Sequence, residues 1–251
     1  MSHECRYSPS MAIDRVERLL RARIAAWNEQ SRHPHVEPSI PLFVTVSRQP
    51  GIDPDPVCYR LSDLLNAGAP GKWSVWDHEL IEKVSSDQHL AKDLLEKLEE
   101  TPRTWLDDML QTRRTPGEAP GASEAQADRC MFAAIRSLAL AGHAIIVGRG
   151  GILVTKDLKG GIHIRLVAPL KHRLEYVVSS KNIPLHEAAR YLNRIDKNEM
   201  KHFHQYWPER SLDPETFGIM LNSAQLSVDE LAECVAVIVR KREAEKQAVS
   251  A

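Results

Sequence analysis

The chain has 251 residues, 43% hydrophobic and 27% charged, with a formal net charge of −1. That length and apolar content support one α/β domain with a smaller lobe, or two compact domains, with a real core. The near-neutral charge argues against bulk nucleic-acid binding through a broadly basic surface while leaving room for a local basic site, and the apolar runs, AIIVG among the longest, are far too short to span a bilayer. No secretory signal opens the chain, so the expected location is cytoplasmic, without membrane or nucleic-acid partners. Four cysteines (Cys5, Cys58, Cys130, Cys234) are scattered with no metal-ligand spacing and read as separate buried thiols in a reducing compartment. His202 and His204 are two residues apart and do not share a helix face, which argues against a metal site.

In chain order, Ile13, Val16, Leu20, Ile24 and Trp27 recur at helical spacing and predict a first helix. With the proline-containing linker SRHPHVEPSIP it forms an N-terminal unit, residues 1–41, which packs on the main domain, on a protein partner or on a second copy. From Leu42 the pattern becomes strand, loop, helix, repeated. LFVTVS reads as a buried strand, VCYRLSDLL as a helix, WSVWD as a short strand and HELIEKV as a helix. A helical stretch from Leu90 to Arg113 precedes the flexible break TPGEAPGAS. Beyond it come the helix AQADRCMFAAIRSLALAG, the strands HAIIVG and GIHIRLVAP, and the helices LKHRLEYVVSSKN and PLHEAARYLNRIDKNEMKHFHQYW. The strand FGIMLNS leads to a last helix opened by Ser227 and Glu230 as a capping box. Alternating strands and helices predict a parallel sheet covered on both faces. Residues 42–240 form this α/β domain and 241–251 a charged tail.

In an open parallel sheet, ligands sit at the C-terminal ends of the strands. Four such ends carry polar or glycine-rich signals: Ser47-Arg48-Gln49, Asp77, Gly148-Arg149-Gly150-Gly151, and Asn222-Ser223. Arg149 stands between glycines, which let a ligand approach the backbone while the guanidinium forks onto phosphate; the alternative is a glycine turn with a solvated arginine. Asp77 reads as a helix N-cap, a role that can coexist with ligand contact. On the long helix, Arg190, Arg194, Lys197, Lys201 and His204 fall within one face, opposite Leu185, Leu192, Ile195, Phe203 and Tyr206. Such a stripe is either a solvated face or a phosphate-facing lid. Glu199 projects onto the apolar side, where a carboxylate needs a partner, exposure or a break in the helix.

These blocks in this order resemble the cytidylate kinase-like family, relatives of nucleoside monophosphate kinases with a P-loop-type fold. The resemblance rests on FVTVSRQPG, WDHELIEKV, AIIVGRGGILV, HIRLVAPLKHRLE, RIDKNEMKHFHQYW and MLNSAQLSVDELAECV, running from about Leu42 to Val239. It implies a three-layer α/β domain with a helical lid, to which the N-terminal helix is added. It also implies phosphoryl transfer from ATP, with Mg²⁺, to CMP or a related nucleotide. By that resemblance Ser47 to Cys58 form the phosphate loop, including Ser47, Arg48, Gln49 and Gly51, and Asp77 starts the helix bordering the monophosphate site. Arg149, flanked by Gly148 and Gly150, contacts the monophosphate. Arg190, Arg194, Lys197 and Lys201 belong to the lid over the transferred phosphoryl group, and Asn222 and Ser223 lie near the nucleotide.

Two departures weigh on that implication. A phosphate loop needs converging backbone amides and a lysine or hydroxyl, whereas Gly51 is followed here by Ile52, Asp53, Pro54, Asp55 and Pro56. Prolines remove amide donors, and the carboxylates carry the wrong charge for phosphate unless a cation intervenes. Glu199 stands about where relatives often carry a lid arginine. Two functional classes therefore remain: an active nucleoside monophosphate kinase-like enzyme, or a catalytically impaired nucleotide-binding or regulatory module.

Overall fold

A computed structural model of the chain describes residues 41–68, 73–86, 122–206 and 214–250. The expected N-terminal helix, the stretch 90–113 and most of the break at 115–123 lie outside them. The described chain runs β1 (Phe43–Arg48), α1 (Asp55–Asn66), β2 (Ser74–Trp76), α2 (His78–Ser86), α3 (Ala122–Ala141), β3 (Ala144–Val147) and α4 (Gly151–Thr155). It continues through β4 (Gly161–Val167), α5 (Leu170–Lys181), α6 (Leu185–Tyr206), a 3-10 turn (Pro214–Thr216), β5 (Ile219–Asn222) and α7 (Val228–Ser250). All five strands are parallel, in the order β2-β3-β1-β4-β5.

The strand sequences explain the layers. Side chains alternate across a strand, so Val44 and Val46 of β1 face one side with Ile145 and Val147 of β3 and Ile162, Ile164 and Leu166 of β4. There α1 and α7 cover them through Val57, Leu61, Leu231, Val235 and Val239. Phe43, Ile146 and Trp76 face the other side, against Ile81 of α2, Phe132, Ile135 and Leu138 of α3, and Ile152 to Val154 of α4. Each fully buried aliphatic side chain of this kind contributes roughly 1.5–3 kcal/mol. A third, smaller cluster of Val177, Ala188 and Leu192 joins α5 to α6.

The helix starts follow local chemistry. Ser227 and Glu230 cap α7 reciprocally: the Glu230 N–H donates to Ser227 Oγ at 3.3 Å and the Ser227 N–H to Glu230 Oε2 at 2.8 Å. Asp77 caps α2, accepting the Leu80 N–H at 2.9 Å. The charged segment from 241 continues α7 as far as Ser250, and Arg242 donates to the Gly161 carbonyl at 3.1 Å. Cys58 and Cys130 are buried as expected, but Cys234 is exposed on α7. Among the described residues, no helix is long and apolar enough to cross a membrane. No group of three or more His, Cys, Asp or Glu among them could hold a metal ion.

One strand residue makes the fold sensitive to acid. His163 of β4 bonds Thr45 of β1 (Nδ1 to Oγ1, 2.7 Å) and sets its ring edge-on to Phe43. Burial, aided by the nearby Arg242 charge, lowers the His163 pKa from 6.5 to about 4. The unfolded chain therefore binds this proton first as pH falls, so the contribution is complete above pH 6.5 and is lost as pH drops toward 4. Urea unfolding at pH 7 and pH 4.5 should show a loss on the order of 1–3 kcal/mol that His163→Gln reduces. An unchanged loss in that variant would place the acid sensitivity elsewhere.

Candidate functional site

Beyond its C-terminus β1 sends the chain into α1 on one face, while the adjacent β3 sends it into α4 on the other. Adjacent strands with opposite exits open a crevice between them, where ligands of open α/β sheets bind. Ser47 and Arg48 line one wall, and Gly148, Arg149 and Gly150 the other. The Gly148 N–H donates to the Val46 carbonyl at 2.9 Å, which ties the loop after β3 to strand β1.

Residues 148–150 all have left-handed backbone, with φ of 68°, 50° and 68°. A Cβ on Gly148 would lie 2.7 Å from Arg48 Nη1, so the glycine lets the Arg48 guanidinium lie on the loop. Arg149 has no such freedom, and its conformation costs about 1–2 kcal/mol. Strain of this kind concentrates at ligand sites. The Arg149 side chain donates to Glu82 of α2, whose carboxyl it holds below its ordinary pKa. Its Nε has no partner among the described residues. The Arg48 side chain forms no hydrogen bond or ion pair with any described residue.

The loop after β1 is held by other parts of the protein. Gln49 Oε1 accepts the Ala168 N–H at 2.9 Å, and the Gln49 N–H donates to the Leu166 carbonyl at 3.0 Å. Buried Arg173 of α5 donates from Nη1 to the Pro50 carbonyl at 3.1 Å and to both oxygens of Asp196 on α6, at 2.9 and 3.1 Å. Gly51 has φ +84°, and a Cβ there would lie 2.9 Å from the Arg173 carbonyl oxygen. Asp53 Oδ1 accepts the Asp55 N–H at 3.1 Å. Burial, then the Asp53 and Asp77 charges, raise the Asp55 pKa; burial, then Asp53, raise that of the Tyr176 phenol.

This loop is poorly furnished for the phosphates of ATP, although its carboxylates are of the kind that hold Mg²⁺. The Asp55 amide at the start of α1 already serves a carboxylate, Pro54 and Pro56 have no N–H to give, and the acidic groups gathered there repel phosphate. The loop carries its own anion.

Two cavities, of about 220 and about 550 Å³, meet at the crevice. Small-ligand sites are roughly 300–1,000 Å³, so the larger alone could hold much of a nucleotide. Arg48, Arg149 and Glu199 line both. From α6, Tyr191, Ile195 and Asn198 join Glu199 in the larger cavity. Glu199 does find the partner its position demands: its Oε2 lies 3.3 Å from Nη2 of Arg165 on β4, and α6 is unbroken there. Burial raises the Glu199 pKa, and Arg165 opposes that shift.

Of the residues expected at the site, the structure brings together Ser47, Arg48, Gly51, Gly148, Arg149 and Gly150. Gln49 and Asp77 serve the backbone nearby and line neither cavity. Asn222 ends strand β5 and Ser223 follows it; Asn222 Oδ1 accepts the Ala224 N–H and Ser223 bonds the Val167 carbonyl. Arg190, Arg194, Lys197 and Lys201 are exposed and line neither cavity. Leu185, expected on the apolar side, is also exposed, since α6 meets α5 only further along, through Ala188 and Leu192. Sequence reading passed over Arg165, Arg173 and Asp196. The signal for Arg165 was present: a lone charge inside the apolar run HIRLVA.

Comparison with known proteins agrees with this architecture. Residues 43–225 match the cytidylate kinase-like family. Among solved structures, the chain is similar to the crystal structure of an uncharacterized protein from Eubacterium ventriosum ATCC 27560. The two share 16% identity with a TM-score of 0.59, over 80% of this chain and 98% of that one. That likeness concerns the fold. A search among curated proteins gives no match.

Arg173 is the tie between loop, α5 and α6. Arg173→Met should destabilise the fold by about 2–4 kcal/mol, because it strands Asp196 and the Pro50 carbonyl. In a double-mutant cycle with Asp196→Leu, denaturant unfolding should give a coupling of about 1–3 kcal/mol. Simple additivity would show that the pair does not hold the loop.

Proposed function

The chain belongs to the cytidylate kinase-like family, and on that premise we propose that it binds the phosphate of a nucleotide between Arg48 and Arg149. CMP or a related monophosphate is the ligand that the family suggests. One observation carries this reading: two guanidiniums from adjacent strand ends line the same cavities, that of Arg48 in no hydrogen bond or ion pair with a described residue and that of Arg149 bonded to Glu82 from strained backbone. Arginine forks suit phosphate, and charge-assisted hydrogen bonds are the strong ones.

The site is a binding site with impaired phosphoryl transfer. Transfer depends on positioning and neutralising a metal-bound polyphosphate, and the loop after β1 presents Asp53 where donors are needed. The lid-facing cations Arg190, Arg194, Lys197 and Lys201 point to solvent. Family membership favours a second reading, active transfer from ATP–Mg²⁺ to the monophosphate, which would require the loop to rearrange and release Asp53.

Calorimetric titration of the full chain separates the two. We expect CMP to bind, and Arg48→Ala and Arg149→Ala each to weaken it about tenfold or more, the scale of a lost hydrogen bond to a charged group. With ATP–Mg²⁺ and CMP together, no ADP should form. Steady ADP release would establish the second reading, and unchanged CMP affinity in both variants would remove the phosphate from this crevice.

A further inference from the structure

We propose that Glu199 is a specificity-determining residue that restricts the crevice to ligands with a single phosphate group. The inference rests on the reading that Arg48 and Arg149 hold a phosphate, and it names the class of ligand they accept.

Glu199 lies on an unbroken helix yet faces the crevice, lining both cavities beside the two arginines. It is held there from behind. Arg165, with its side chain only 5% exposed, reaches Glu199 Oε2 at 3.3 Å. The same guanidinium donates to Ser47 Oγ at 3.0 Å and lies 5.4 Å from the centre of the Phe217 ring. Arg165 itself lines neither cavity, so its charge orients Glu199 and is not offered to a ligand.

A buried cation that loses its counter-charge is strongly unfavourable. The carboxylate is therefore committed to this position and cannot swing out to make room. A ligand consequently meets two guanidiniums and one fixed carboxylate. One phosphate can take up both guanidiniums. A second phosphate must extend toward the space that Glu199 shares, where like charges at short range and partial burial repel. On the other side Asp53 already occupies the first amide of α1, so a longer phosphate chain finds no alternative anchor there. The free oxygen of Glu199 can instead accept a hydrogen bond from a hydroxyl or amino group, which suits a nucleoside monophosphate over inorganic or polyphosphate ligands.

The test varies only the number of phosphates. The full chain is titrated calorimetrically with CMP, CDP and CTP, without divalent metal and at one ionic strength. The parent should bind CDP and CTP at least tenfold more weakly than CMP, and in Glu199→Gln that ratio should shrink to less than threefold. Because Glu199→Gln strands Arg165 and can cost the fold, Arg165→Met/Glu199→Gln is measured beside it. This double variant removes both charges and should show the same shrinkage. Equal or tighter binding of CDP by the parent overturns the proposal. So does a parent-like ratio in a folded variant lacking the Glu199 charge. Failure of all three nucleotides to bind the parent overturns the underlying phosphate reading as well, and is distinct from either result.

Discussion

The opposite exits of β1 and β3 are the constraint from which the rest follows. Both strands are buried and apolar, and they are hydrogen-bonded side by side from Val44 and Ile145 to Val46 and Val147. The chain can leave them only at their ends. Because one exit leads to α1 and the other to α4, neither of these two helices covers the gap between the two loops. The crevice is thus a product of topology, and the residues at its rim, Ser47, Arg48 and 148–150, are those that the strand register brings there.

Buried charge then decides what stands over the crevice. The cluster joining α5 and α6 is small, and the polar links do much of the orienting. Arg173 binds the Pro50 carbonyl and Asp196 with a single nitrogen, and Arg165 binds Ser47 and Glu199. Each arginine joins the β1 strand or its loop to α6. Replacing such pairs by apolar groups can leave stability unchanged, whereas removing one partner is costly. Their contribution here is placement: they fix which face of α6 looks inward, and so put a carboxylate beside two cations that face the ligand space.

Much of the fold was legible in the sequence because its signals are local. Alternating strand and helix segments, the Ser227–Glu230 capping box and the Asp77 cap each involve residues within a few positions of one another. Helix α4 was not foreseen, since five residues after a glycine turn carry too little periodicity to register. At the site, Ser47, Arg48, Gly51 and 148–150 were legible because strand ends and glycines mark them. The α6 face was not. A helical wheel places Arg190, Arg194, Lys197 and Lys201 on one side and Glu199 on the other, but it does not say which side meets the crevice. That depended on partners 34 and 23 residues away from Glu199 and Asp196, and no local pattern encodes those distances.

In the proposed function the paired loops after β1 and β3 receive a phosphate together. Hydrogen–deuterium exchange of the full chain, with and without saturating CMP, tests it directly. Slower exchange is expected in both residues 48–52 and residues 148–153, with the amides of α7 unchanged. Protection confined to one of the loops, or to the β5 end around 222–226, while CMP still binds, would contradict it.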